Sequence, residues 1–184
     1  MGKVNKIKIP ELKRNLKELD QNELIGIIVN LYKLNNDVKD YLAVNLIGEE
    51  MIQELFERAK QEIEHEFFPV NGFGKLRLAK AKKAISDFKK LTSDYVKALD
   101  LKLCYVEFGT EFTNTYGDID ERFYDSMEST YIKVVKACEK DEVLFEQFHD
   151  RLLAVVEDSG RIGWGYHDNL KIIFNSICWL VEEK

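Results

Sequence analysis

Apolar residues recur at three- and four-residue spacing from Leu12 to Leu180, and no stretch alternates apolar and polar residues between hairpin turns. Side chains three and four apart share one helical face, so this period constrains the chain to an all-α fold. Proline falls only at Pro10 and Pro69, positions that open and follow helices rather than break them.

The spacing and the helix-ending residues predict about nine helices. Ile9-Pro10 opens the first, with Leu12, Leu16 and Leu19 on its apolar face. Asp20 and Glu23 form a capping box for the second, whose core face is Leu24, Ile27, Ile28, Leu31 and Leu34. Asn35-Asn36-Asp37 breaks it. A short third helix carries Val38, Tyr41, Leu42 and Leu46 and closes at Gly48, and a fourth carries Met51, Leu55, Phe56, Ala59 and Ile63 and stops before Pro69. The fifth starts at Lys75, with Leu78, Ala81, Ile85 and Phe88 inward. Thr92-Ser93-Asp94 caps a long sixth that ends near Tyr116-Gly117, Asp118 to Asp120 starts the seventh, and the eighth begins near Asp141. Asp168 or Asn169 caps a ninth helix running through Leu170, Ile173, Phe174, Ile177 and Leu180.

A chain of 184 residues with 45% apolar side chains can fill one core, so a single domain over 1–184 is expected, with 1–8 as a flexible N-terminal arm. Short connections favour antiparallel neighbours, arranged either as stacked helical hairpins or as an irregular bundle. The Tyr, Gly and Ala placement between Tyr105 and Ala137 has the look of a tetratricopeptide hairpin, but no repeat of ~34 residues runs through the chain. A charged fraction of 33% and a mean hydropathy of −0.31 exclude a fibrous or membrane-spanning class. Met1 to Lys8 has lysines but no following apolar stretch, so a cytoplasmic location is expected. Cys104, Cys138 and Cys178 are odd in number, widely spaced and set in apolar contexts, and read as buried thiols of a reducing compartment.

Charge is the strongest local anomaly. Between Lys75 and Leu91, Lys75, Arg77, Lys80, Lys82, Lys83, Lys89 and Lys90 face Asp87 alone, a net of +6 in a chain whose net charge is −6. Gly72-Phe73-Gly74 precedes this run and offers backbone N–H groups near a helix N-terminus. It is no Walker loop, because a helix precedes it and Leu76, not Ser or Thr, follows the lysine. A tight interhelical turn accounts for the same glycines. The candidate anion site is Gly72, Gly74, Lys75, Arg77, Lys82 and Lys89, with Lys75, Lys82 and Lys89 in a row at seven-residue spacing.

From Glu107 to Glu128 the charge reverses. Glu107, Glu111, Asp118, Asp120, Glu121, Asp125 and Glu128 face only Arg122, a net of −6, which makes this stretch the obvious internal partner for the basic helix. Oxygen-rich clusters can hold magnesium or calcium, but the EF-hand order is absent and aspartates here also serve as helix caps. Glu62 with His65 and Glu146 with His149 have the Glu-x-x-His spacing of di-iron bundles, yet His65 points away from its helix's core face. No metal or cofactor is expected. A second glycine loop, Gly160 to Gly165, brings Trp164, Tyr166, His167 and Asp168 to a helix start; such a loop either binds a ligand or seats its tryptophan as a core plug.

Three stretches, Phe67-Phe68-Pro69 through Gly72-Phe73-Gly74-Lys75-Leu76-Arg77-Leu78 to Ile85, Glu107-Phe108 through Tyr116-Gly117-Asp118-Ile119-Asp120 to Ser129, and Gly163-Trp164-Gly165-Tyr166-His167-Asp168, together with Leu12-Lys13 to Leu42, resemble a bacterial family catalogued as domain of unknown function 6155. The resemblance implies a small helical cytoplasmic protein and transfers no catalytic residue. Two functional readings stand. In one, a non-enzymatic module uses the basic helix 75–90 to meet an acidic protein or a phosphorylated ligand, with no membrane involved. In the other, a small metal-dependent hydrolase uses acidic residues 107–128 with His167.

Overall fold

The computed structural model describes residues 7–181, and within them every regular element is helical. In chain order these are α1 (Ile9–Lys17), α2 (Gln21–Leu34), α3 (Asn36–Ile47), α4 (Glu49–Phe67), α5 (Leu78–Thr92), α6 (Tyr95–Tyr116), α7 (Glu121–Cys138), α8 (Glu142–Asp158) and α9 (Tyr166–Phe174), with 3₁₀ turns at Ser159–Arg161 and Cys178–Val181. Most of the expected arm lies outside the described residues. None of the helices described is long and apolar enough to cross a membrane.

By packing, the chain divides into two compact units, Met1–Met51 and Ile52–Lys184, where the sequence reading expects one domain over 1–184. The first unit is thin. Its helices α1, α2 and α3 bury no residue fully, and α2 packs on α3. The capping box at its centre is complete: Glu23 N–H donates to Asp20 Oδ1 at 2.9 Å and Asp20 N–H donates to Glu23 Oε2 at 2.9 Å.

The second unit holds the core, and α6 is its axis. Leu99, Leu101, Leu103, Tyr105, Val106 and Phe112 on α6 are all essentially inaccessible, because α5, α7 and α8 each pack on this helix. Helix α7 meets both α8 and α9, so each helix from α6 onward touches the next and the next but one, as helical hairpins do when laid side by side. Phe67, at the end of α4, is ringed by Tyr105, Phe108, Phe112 and Phe123 with centroids 5.6–6.5 Å away. Asp94, Asp120 and Asp141 cap α6, α7 and α8 by accepting backbone N–H groups, because a short carboxylate reaches the free donors of the first turn.

Two helix limits differ from the expected ones. Helix α5 begins at Leu78, not at Lys75, because residues 69–77 fold back over the end of α4. Leu76 N–H donates to Glu66 O at 2.9 Å, and Gly74 lies so close to Phe67 O that a β-carbon there would stand 2.2 Å from it. That approach requires glycine. Helix α9 begins at Tyr166 behind Gly165, which holds a left-handed φ of 69°, and it stops at Phe174 rather than running to Leu180. Asp168 therefore sits in the first turn and is not the cap. Ser176 Oγ donates to Ile173 O at 2.7 Å, a local bond that competes with helix continuation.

Candidate functional site

The cations of the basic segment meet three different fates. Arg77 and Lys80 are committed to Glu66: Arg77 donates from Nε and Nη2 at 2.8 Å each, and Lys80 from Nζ at 3.0 Å. Glu66 is wholly inaccessible, and the Arg77 hydrogen bonds, helped by Lys80, outweigh its burial and hold its carboxyl down at about 2. Lys83 and Lys90 pair with Asp87 one turn away on the same helix. Lys75 is exposed on the loop ahead of the helix, so it forms no row with Lys82 and Lys89, and Gly72 and Gly74 serve the loop's backbone path. The α5 N-terminus stands at Leu78 behind Arg77, not at Gly74, and its first-turn donors are already used: Leu78 N–H donates to Leu76 O and Lys80 N–H to Arg77 O, both at 2.8 Å.

Lys82 and Lys89 enter a different environment. They project from α5 into a pocket of about 240 Å³ whose other walls include Lys102 from α6 and Lys133 and Thr130 from α7. Four ammonium groups line it, and among the described residues no carboxylate lies within ion-pair distance of any of them. Lys82 and Lys89 instead sit over aromatic rings, Lys82 5.6 Å from the Tyr105 centroid and Lys89 5.5 Å from that of Tyr95. Burial lowers the pKa of Lys82, and Lys133 lowers it further; burial likewise lowers Lys102, with Lys89 and Lys133 adding to the effect. Charge is thus concentrated in one concavity, partly desolvated at Lys82 and Lys102, while Lys89 and Lys133 stay exposed. Ser86 adds an exposed hydroxyl at its edge, whereas the Thr130 hydroxyl is spent on Ser126 O at 2.8 Å.

Sequence reasoning missed Lys102 and Lys133 because neither belongs to a basic run on its helix, and nothing in the sequence shows that both face α5. One signal was available, the placement of Lys102 between Leu101 and Leu103 in a helix that is apolar on nearly every side.

The acidic stretch is dispersed by the fold. Glu107 is held by Arg151, which donates to it from Nε and Nη2 at 2.8 Å and to Asp100 from Nη1 at 2.7 Å. Burial opposes the charged guanidinium, but these hydrogen bonds outweigh it and raise the Arg151 pKa. Asp120 is spent as the α7 cap and Glu128 accepts from Asn169 at 3.0 Å. Asp118 accepts from Tyr124 Oη at 2.9 Å and lies against Gly163 at the edge of a polar cleft of about 500 Å³ that mixes Glu157 and Asp158 with Arg161.

His167 turns elsewhere: its Nδ1 lies 3.0 Å from both Val156 O and Ser159 Oγ. Ser159 is fully buried and donates to Val156 O, so this serine and histidine present no nucleophile to a substrate. Tyr166 is buried and bonded to Thr110, but Trp164 is 60% exposed with φ 61°, which overturns the core-plug reading. Glu62 and His65 are exposed, while His149 packs between Phe145 and Phe174 and contacts Asp150. Cys104 and Cys138 are buried as expected, and burial, with Asp100 nearby, pushes the Cys104 thiol up to about 12; Cys178, by contrast, is exposed. Among the described residues, no group of three or more His, Cys, Asp and Glu side chains is placed to hold a metal ion.

An all-α protein with four lysines from three helices lining one pocket is the class that fold and pocket define. The chain belongs to a family of unknown function, DUF6155, whose model matches residues 7–177. No curated protein and no solved structure matches it.

Proposed function

We propose that this protein is a non-enzymatic binding module that takes a small phosphate-bearing ligand into the pocket formed by Lys82, Lys89, Lys102 and Lys133. The convergence of four lysines from three helices, with no carboxylate among them, carries this reading. Like charges held together and partly out of water repel, and an anion in their midst converts that cost into attraction. Ammonium groups suit phosphate as point charges with rotatable donors. A pocket of about 240 Å³ suits a small polyanion better than a nucleic-acid backbone, and a chain of net charge −6 repels nucleic acid at long range. The free buried thiols of Cys104 and Cys138 support a reducing, cytoplasmic setting.

Isothermal calorimetry with tripolyphosphate, with an oligoglutamate peptide as the competing acidic ligand, tests this reading. Tripolyphosphate should bind and raise Tm, with an affinity that weakens as salt rises, and Lys102→Glu/Lys133→Glu should abolish binding while keeping wild-type circular dichroism. Failure to bind at low salt, or unchanged affinity in the folded variant, refutes the phosphate reading; a preference for the peptide transfers the pocket to an acidic protein partner.

A further inference from the structure

Of the four lysines in the pocket, Lys102 alone is both half-buried and without a partner for its charge. It leaves α6 between Leu101 and Leu103, both essentially inaccessible, and lines the cavity beside Lys82, Lys89 and Lys133. Lys82 is also half-buried, but its ammonium rests over the Tyr105 ring, as that of Lys89 rests over Tyr95. A ring face holds an amine in its charged form. Lys102 and Lys133 have neither ring nor carboxylate among the described residues, and Lys133 is exposed, so water solvates its charge. Lys102 is therefore the amine whose neutral form is most accessible. Burial lowers its pKa, and the ammonium groups of Lys89 and Lys133 lower it further.

A lysine that is partly desolvated beside other cations, and still reachable from a cavity, is an activated nucleophile toward carbonyl carbon. We infer that Lys102 forms a reversible imine with a small phosphate-bearing aldehyde or ketone while Lys82, Lys89 and Lys133 hold the phosphate, an assignment that rests on the phosphate reading of the same pocket and narrows its ligand. A phosphate monoester brings a charge of about −1.5 to −2 at neutral pH, so three ammonium groups keep the pocket positive around Lys102 once the ligand is seated. In the first step the lone pair of neutral Lys102 Nζ adds to the carbonyl carbon, and the C=O π-bond breaks onto oxygen, which takes up the proton that nitrogen releases. The carbinolamine then loses its hydroxyl as water, protonated by a neighbouring ammonium. The C=N bond forms as nitrogen gives up its second proton, which restores the donor. Amine and carbonyl thus yield imine and water, with no oxidant or reductant. Among the described residues no carboxylate lines the cavity to draw a proton from the carbon beside the imine, so the bond retains the ligand rather than turning it over.

Phosphorylated glyceraldehyde with sodium cyanoborohydride, which reduces an imine to a stable secondary amine, tests the assignment on the full chain, with peptide mapping by mass spectrometry as the readout. Lys102 should be modified about tenfold faster than the exposed Lys75 or Lys171, since a pKa lower by one gives about tenfold more free amine. Tripolyphosphate should block that labelling, and glyceraldehyde without the phosphate should label Lys102 far more slowly. Lys102→Arg keeps the charge but supplies no such amine, so it should still bind tripolyphosphate while total incorporation falls to that of the surface lysines. Labelling of Lys102 no faster than of Lys75, in protein that binds tripolyphosphate, overturns the imine and leaves the phosphate reading standing. Equal labelling by glyceraldehyde and its phosphate, without tripolyphosphate binding, overturns both. The map of the wild-type chain decides between these outcomes even should Lys102→Arg fail to fold.

Discussion

Two clusters of charge flank the same helix and both draw on its lysines, but they differ in kind. At one, Arg77 and Lys80 close on Glu66, a carboxylate removed from water, and every charge has a partner. At the other, Lys82 and Lys89 meet Lys102 and Lys133, and no carboxylate answers them. The first cluster ties residues 69–77 to α4 and so fixes where α5 begins. The second adds nothing to stability by itself, since Lys82 and Lys102 are partly desolvated beside like charges, which opposes folding. Local density of lysine is therefore a poor guide to binding; what matters is which lysines the fold leaves unanswered.

The largest way to separate the two clusters is to remove the shared carboxylate. Glu66→Gln should cost about 2 kcal/mol in urea unfolding, less than for a pair buried on both sides, because Arg77 and Lys80 are half exposed and can rehydrate. Tripolyphosphate affinity should not change. The sign with pH follows from the carboxyl being depressed in the folded state: its contribution is complete above about 4.5, the unfolded value, and is lost as pH falls toward about 2. The wild type and Glu66→Gln should accordingly converge in stability over that window, and a gap that persists at pH 2 would mean the loss is packing, not charge.

A smaller effect of opposite sign is expected in the pocket. Lys102→Met removes a half-buried ammonium and should stabilise the ligand-free protein by about 0.5–1 kcal/mol, measured by urea unfolding. Destabilisation instead would show that Lys102 has a compensating partner. The smallest effect belongs to Lys75→Ala, which should leave stability within about 0.5 kcal/mol and tripolyphosphate affinity unchanged, because Lys75 stands on the loop outside both clusters. A clear loss of affinity there would extend the site to the glycine loop.

Sequence alone determined the all-α class and the start of most helices. Those features rest on interactions within one turn: the Asp20–Glu23 box, the caps at Asp94, Asp120 and Asp141, and the faces traced by Leu99, Leu103 and Val106 on α6 or Phe148, Leu152 and Val155 on α8. Only the tertiary structure decided which charges are free. Glu66 reaches across the glycine loop to Arg77 and Lys80, Arg151 reaches from α8 to Asp100 and Glu107 on α6, and Lys102 and Lys133 arrive at α5 from two other helices. Periodicity tells which face of a helix is buried but not which neighbour it meets, and a charge's meaning depends on that neighbour because Coulomb energy and desolvation are set by distance and burial, not by position along the chain.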